Sequence, residues 1–526
     1  MTRRTRIILT CAGAVAATAG LLVVMKLGPF STVATVTTAT EPLDRPMREV
    51  WPALNRWDDR LEREYSEFVA RLGGALAARK CNRLDRCLRN PEANLLFEPA
   101  DAYLAMVPDC ADLPYHLRAY FAFKRKLPFG YVNDVVGRGK RDIRYAFDVV
   151  PRGWTDWRSF KTPRKFLASI GGQVHSGMYR TQPGMDGVDF YPVSIERKSV
   201  IPGAIFYDPN GHVAVVTAVR SDGVVQLIDG HPDGSLTVKR FGAAFVVGPA
   251  RMGGGFKRFR PVSVVDGKLF WPPAAVLPGW DPWAQYDKTR REGQTFEVWS
   301  RGKLAMDGAA MDPIADLRDQ VQSLCRDVSD RVTAVEAAIA AGLSARAHPP
   351  ALPDNIYGTD GEWEEYSTPS RDARLKAAVR ELHDAALKIA SAGQAAPALA
   401  AFTEEASKSD CQYRYLRSDG SAKLVSFEDV LDRLFTISFD PYHCPELRWG
   451  APVGPERSTC PDGKNKLDWY ANEQRLRNRI DREYGAPTPL ESGPEVMPEI
   501  DPRRVLAPPV LPGARAATSS GGPRPR

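Results

Sequence analysis

Three residues of this chain have the types and the order that amide-bond chemistry needs: Cys110, His212 and Asp229. A thiol attacks a carbonyl carbon, an imidazole takes and returns the proton, and a carboxylate fixes the imidazole's tautomer. Cys110 precedes a segment in which Leu113, Leu117, Tyr120 and Phe121 keep helical spacing. A cysteine at a helix start lies near unpaired backbone N–H groups and the positive end of the helix dipole. Both favour thiolate, and the Cys110 N–H is then the expected oxyanion donor. Pro114 fits a first helical turn, so Cys110 is expected at or just before the N-cap.

His212 opens the apolar run 213–219, which reads as a strand. The turn Arg220-Ser221-Asp222-Gly223 follows, and a second strand, 224–228, ends on Asp229. In such a hairpin residue 212 lies opposite about residue 231, which leaves Asp229 diagonal to His212. The two are 17 positions apart, so an odd loop length or a bulge is required to put both side chains on one face. Each residue alone has a plain structural reading: a buried or bonded cysteine, a strand-edge histidine, a carboxylate starting a turn. His116, His175 and His231 are less well placed as bases, and His231 is the alternative to Asp229 as the orienting group.

The motifs around these residues resemble a known superfamily. Asp109-Cys110-Ala111-Asp112-Leu113 is similar to the start of the nucleophile helix in NlpC-type cell-wall peptidases. Pro202-Gly203-Ala204-Ile205-Phe206-Tyr207 and Gly211-His212-Val213-Ala214-Val215-Val216 resemble the strand pair shared by that family and the CHAP amidases. Asp229 matches the acidic position of the CHAP pattern. The resemblance covers about residues 95–250. It departs at Pro114, at Ala204 where an acid is usual, and in the long insertion between Cys110 and His212. It implies an α+β, papain-like fold, with a nucleophile helix on a small antiparallel sheet, and hydrolysis of amide bonds in peptidoglycan. It also implies a tyrosine upstream of the cysteine at the oxyanion hole, for which Tyr103 is the candidate. A non-catalytic envelope scaffold and an acyltransferase use the same residues and remain alternatives.

The elements that must position these groups can be read outward from them. Before the cysteine, Leu54, Trp57, Leu61, Tyr65, Phe68, Leu72 and Leu76 predict an amphipathic helix starting near Trp51. Residues 124–200 show little period and read as an insertion shaping a groove. Its basic start (Lys124, Arg125, Lys126, Arg138, Lys140, Arg141, Arg144) reads either as a solvated face or as a contact for an anionic substrate. Residues 201–249 predict short antiparallel strands, including 236–241 and 245–247, and 263–310 a connector. Two apolar stripes, Ile314 to Ile339 and Leu375 to Ile389, predict an antiparallel helix pair. A charged helix is expected around Trp469–Tyr484.

Bulk properties set the context. The chain has 526 residues, 43% of them hydrophobic, which is enough for several cores. A net charge of +7 with no aromatic-interleaved basic track points away from nucleic acid. Arg3, Arg4 and Arg6 precede an uncharged run at residues 7–25, expected to be a signal peptide or a signal anchor that places the protein outside the cytoplasm. Cys11 falls within that run. If Cys110 is the nucleophile, six cysteines remain to pair. Short loops suggest Cys81–Cys87 and Cys444–Cys460, leaving Cys325–Cys411. No Cys-x-x-Cys or His-x-x-x-His spacing marks a metal site, and the chemistry calls for no cofactor. The expected layout is residues 1–30 signal or anchor, 31–48 stalk, 49–262 papain-like domain, 263–310 connector, 311–484 helical domain and 485–526 disordered tail. Expected partners are peptidoglycan or another amide-bearing envelope polymer, the membrane through the N-terminal segment, and a protein partner for the C-terminal helices.

Overall fold

Helix α1 (Asp59–Ala77) begins where Asp58 can cap it, its carboxylate accepting the Leu61 N–H at 2.8 Å. That is eight residues later than the apolar stripe alone predicts. Residues 51–58 are not helical, and Leu54 is 71% exposed. Trp51 instead anchors an extended lead-in, its indole N–H donating to Leu127 O at 2.8 Å. The computed structural model describes residues 50–104, 106–139, 142–309, 311–357, 361–481 and 493–507. The segments read as signal or anchor and as stalk lie outside these residues. Among the described residues no helix is long and apolar enough to cross a membrane.

After the short α2 (Leu84–Arg89) comes the cysteine helix α3 (Asp112–Arg125), of which twelve consecutive residues from Asp112 to Phe123 are buried. The insertion after it has regular structure: a hairpin of β1 (Gly130–Arg138) and β2 (Phe147–Asp156), then α4 (Pro163–Gln173). Three register shifts interrupt the β1–β2 ladder, which is why no two-residue period survives in the sequence. Three of the seven basic residues of that run are consumed internally. Lys124 pairs with Asp101 at 2.8 Å, Arg125 with Glu64, and Arg144 with Asp142 at 2.7 Å.

The central sheet is built from β3 (Phe190–Pro192), β4 (Ile205–Asp208), β5 (His212–Val219), β6 (Val225–Gly230), β7 (Leu236–Arg240) and β8 (Gly255–Phe259). Its order is β3-β8-β4-β5-β6-β7, and every neighbouring pair is antiparallel. The architecture is therefore α+β with antiparallel sheets. Residues 245–247 are not a strand; the sheet instead recruits β8, which inserts between β3 and β4. One face carries Ile205, Tyr207, Val213, Val215 and Ile228 into a core shared with α1 and α3. The other carries Phe206, Ala214, Val216 and Leu227 against Phe296, Trp299 and Leu304.

The stretch read as a connector holds the small hairpin β9 (Ser263–Val265) and β10 (Lys268–Phe270), and α5 (Phe296–Leu304). The two predicted helices are α6 (Pro313–Ala340) and, after α7 (Gly361–Tyr366), α8 (Pro369–Ser391). A third helix, α9 (Ala395–Ala406), and the hairpin β11 (Gln412–Leu416) with β12 (Ala422–Ser426) complete their core. Short helices α10 (Phe427–Asp432), α11 (Pro445–Arg448), α12 (Lys464–Asn472) and α13 (Gln474–Arg477) follow. The expected disordered tail is ordered in part. Residues 493–507 include α14 (Pro502–Leu506), and Ile500 and Leu506 are buried in the helical core. The disulfides are Cys81–Cys87, Cys325–Cys411 and Cys444–Cys460, which is the pairing that short loops suggest. The described residues form one compact unit, so the helices are not a detached body.

Candidate functional site

The position of His212 is set by a three-residue turn. Asp208 pairs with His212 across β4 and β5, and the loop between them ends on Gly211 with φ +88°. A residue in the left-handed region after a tight turn is what a three-residue hairpin loop needs, and glycine supplies it without steric cost. The carboxylate of Asp208 braces the turn by accepting the Asn210 N–H at 2.9 Å.

Asp229 reaches the same face through a bulge. Near the turn, Val219 pairs with Val225 and Ala218 with Gln226; beyond it, Val216 pairs with Leu227 and Val215 with Ile228. One extra residue of β5, Thr217, is taken up between them. Without it Asp229 would lie opposite Val215 and point to the face away from His212. With it Asp229 falls opposite Ala214, one diagonal step from His212. His212 Nε2 and Asp229 Oδ2 are 2.9 Å apart, and Asp229 is fully buried. Thr237, directly opposite on β7, donates its hydroxyl to Asp229 Oδ1. His231 bonds Thr237 Oγ1 at 3.1 Å and lies 3.5 Å from Asp229 Oδ1, so it buttresses the carboxylate while Asp229 orients His212. Burial opposes the charge on Asp229, but His231, Lys239 and His212 together hold it well below the usual carboxylate range. Burial and then the charge of Arg374 push His212 down, against the pull of Asp229. The resting imidazole is therefore neutral. With Nε2–H donated to Asp229, Nδ1 is the nitrogen left to accept a proton.

Cys110 is the one free cysteine among the described residues and is half-buried, just before the Ala111 N-cap of α3. The chain at residues 108–110 crosses directly over Gly230, where a Cβ would come within 2.6 Å of Asp109 O. The backbone N–H of Val213, the residue after His212, faces the thiol. No hydrogen bond joins Cys110 to His212 among the described residues. The expected thiolate is not found either. Burial pushes the thiol well above its ordinary value, and Asp109 adds to the rise; Val213 N–H and Arg374 pull only partly back. Beside burial, a second cause is local: Asp109 Oδ1 caps α3 itself, accepting the N–H groups of Ala111 at 2.8 Å and Asp112 at 2.9 Å. A carboxylate thus occupies the helix end that would otherwise stabilise a thiolate. Asp112 nearby is pushed up to about 8, by burial and then by Asp109.

Tyr103 ends a short helical turn, Pro99–Tyr103, and packs against the main core. The tyrosines near the nucleophile are Tyr179 and Tyr207. Tyr179 donates its hydroxyl to Ala111 O at 2.6 Å, and Tyr207 accepts from Arg180 at 3.1 Å. A thiolate at Cys110 would raise both. Tyr179 falls in a stretch whose period gives no sign of a site, whereas Tyr207 ends the 202–207 motif without being singled out in it.

The far side of the dyad is covered. His212, Asp229 and His231 line a cavity of about 50 Å³ closed by Arg371, Arg374 and Leu375 of α8 and by Ser323 and Asp327 of α6. That space holds a few waters. The cover is fastened by buried charge pairs. Arg240 meets Asp316 at 2.8 Å, Lys239 meets Asp327 at 2.8 Å, and the Ala243 N–H donates to Glu381 at 2.8 Å. Arg374 makes no hydrogen bond within the described protein and turns a free guanidinium toward Cys110 and His212. Comparison with protein-family models, with curated proteins and with solved structures finds no match to this chain.

Proposed function

We propose that this protein is an exported cysteine amidase or endopeptidase acting on amide bonds of the cell envelope, peptidoglycan first among them, from a papain-like α3-on-sheet arrangement. The observation that carries the reading is the 2.9 Å His212–Asp229 pair on strands that α3 caps with an unpaired thiol. Cys110 Sγ gives its proton to His212 Nδ1 and attacks the carbonyl carbon. The oxyanion takes the Cys110 N–H, while Asp229 steadies the imidazolium. His212 then protonates the leaving amine, and water, deprotonated by His212, hydrolyses the thioester. Arg374 favours a substrate that carries a carboxylate beside the scissile bond, as stem peptides do. The three disulfides and the apolar run at residues 7–25 support a place outside the cytoplasm, anchored or secreted. The test is release of amines from purified wall material by the full protein against Cys110→Ala. Equal release by both would exclude a cysteine mechanism.

A second reading is a non-catalytic envelope scaffold on the same fold. It is favoured by the neutral thiol and by the small cavity of about 50 Å³ beside His212 and Asp229. On the enzymatic reading, substrate approaches Cys110 from the side away from this cavity, or α6 and α8 lift to admit it.

A further inference from the structure

We infer that the helical region holds a second, buried site: a centre for a first-row divalent cation, zinc by preference, built from His348, Asp440, His443 and Glu473. The side chains of all four are 0% exposed. They converge from the loop after α6, from the turn before α11 and from the α12–α13 junction. The donor atoms of His348, Asp440 and Glu473 lie within 4.8 Å of one another. His443 Nε2 is 3.9 Å from Asp440 Oδ2 and 3.6 Å from Glu473 Oε2. Tetrahedral ligands about 2.1 Å from zinc are roughly 3.4 Å apart, so the set His348, Asp440 and Glu473 must contract and His443, near Asp440 and Glu473 but outside the 4.8 Å set, must swing inward to complete the shell. The 2.6 Å contact between His348 Nε2 and Asp440 Oδ2 would open by a comparable step.

Two further observations point to a ligand rather than to a closed ion-pair cluster. First, His443 Nε2 and both carboxylate oxygens of Glu473 are buried without a hydrogen-bond partner. Arg477, at 3.5 Å, is the nearest cation to Glu473 and does not satisfy it. Buried polar atoms left so are rare because desolvation is not repaid. Second, the outer contacts select the ligating tautomers. His348 Nδ1 faces Pro349 O at 2.6 Å and His443 Nδ1 faces Asp462 Oδ2 at 3.2 Å. Each ring can thereby donate outward from Nδ1, and a cation that displaces the Nε2 proton held toward Asp440 or Glu473 would meet Nε2 inward, as in metal-bound histidines. Asp440 behaves likewise: Oδ1 accepts the Tyr442 N–H at 2.8 Å, and Oδ2 is turned to both imidazoles. Two nitrogens and two oxygens suit zinc and its neighbours rather than calcium or magnesium. With all four positions filled by protein and none exposed, the role is structural. It ties the loop closed by Cys444–Cys460 to α12 and α13, and it is independent of the Cys110 chemistry.

The test is metal analysis of the full-length, untagged protein expressed with supplementary zinc and purified without chelator. About one zinc per chain is expected, retained in Cys110→Ala and falling below about a tenth in His443→Ala and in Glu473→Gln. X-ray absorption on the wild type should show two imidazoles in a four-coordinate N/O shell, and stripping with dipicolinate should lower the melting temperature, with recovery on zinc return. Less than a tenth of an equivalent of zinc, manganese, iron, cobalt or nickel in folded wild type would overturn the site. So would metal that is lost with Cys110→Ala or that shows no imidazole shell.

Discussion

The resting thiol should be unreactive, and its reactivity should rise when the chain unfolds. An ordinary thiol titrating near 9.0 is about 3% ionised at pH 7.5, and each unit of upward shift removes a further factor of ten. Burial holds Cys110 well above its ordinary value, and with a hundredfold loss of thiolate as the threshold, alkylation at pH 7.5 should be at least about 100-fold slower in the native protein than in urea. That factor corresponds to about 2.7 kcal/mol of disfavoured charge. The sign for stability follows. A thiol pKa raised on folding contributes stability that is complete below pH 9 and is lost as pH climbs above it. Two substitutions separate the causes. Asp109→Asn removes the neighbouring like charge and should speed native alkylation, while Arg374→Ala removes the opposing cation and should slow it. The assay is iodoacetamide labelling from pH 6 to 10 with peptide mapping, which keeps Cys110 apart from Cys11. Native Cys110 reacting at pH 6.5 as fast as or faster than the unfolded chain would refute the neutral-thiol reasoning.

Two further outcomes are expected. His116 is buried between Asp112 O at 3.2 Å and Leu167 O at 3.1 Å, and burial lowers it to about 4. The unfolded chain takes up that proton near pH 6.5 and the native one only near 4, so stability should fall as pH drops through this window, by about 3 kcal/mol; in urea melts between pH 7 and 4 the wild type should lose stability more steeply than His116→Asn, and equal losses would refute the assignment. Removing Cys325–Cys411, which spans 86 positions, should cost about 2 to 5 kcal/mol in chemical denaturation, because it closes a long loop and staples α6 to the turn after α9.

The sequence carried the chemistry-bearing residues better than it carried their electrostatics. Cys110, His212 and Asp229 could be picked by type and order, and the diagonal of the hairpin placed two of them together. The need for a bulge could be deduced from parity, although its position at Thr217 could not, since any residue of the run 213–219 fits a strand. Helix α1 was misplaced because the stripe continues through Leu54, whereas the competing signal, Asp58 as a cap, is one residue deep. The bulged hairpin β1–β2 and the late strand β8 were illegible for opposite reasons. One loses its period to three register shifts, and the other has a clear pattern but pairs with a strand some fifty positions earlier. The four groups of the buried centre span residues 348 to 473, so no local spacing could announce them. The state of the thiol is illegible in the sequence because burial, its largest cause, is set by tertiary packing, and because the same Asp109 that marks the motif also fills the helix end.

The cover and the dyad belong to one charge network. Lys239 follows β7 past Thr237 and places its ammonium between Asp229, whose charge it supports, and Asp327 and Asp330 of α6. Lifting α6 would strip Lys239 of two carboxylates and leave Asp229 as its remaining partner, and lifting α8 with it would carry Arg374 away from Cys110 and His212. His212 would then lose the cation that depresses it and keep the carboxylate that raises it, becoming a stronger base in the open state than in the closed one. Water entering the opened site would lower the thiol at the same time, because burial is the larger part of its rise. Opening therefore moves both groups toward proton exchange. This is the physical content of the enzymatic reading, and it separates that reading from a scaffold, in which α6 and α8 stay down and Cys110 remains protonated under every condition that preserves the fold.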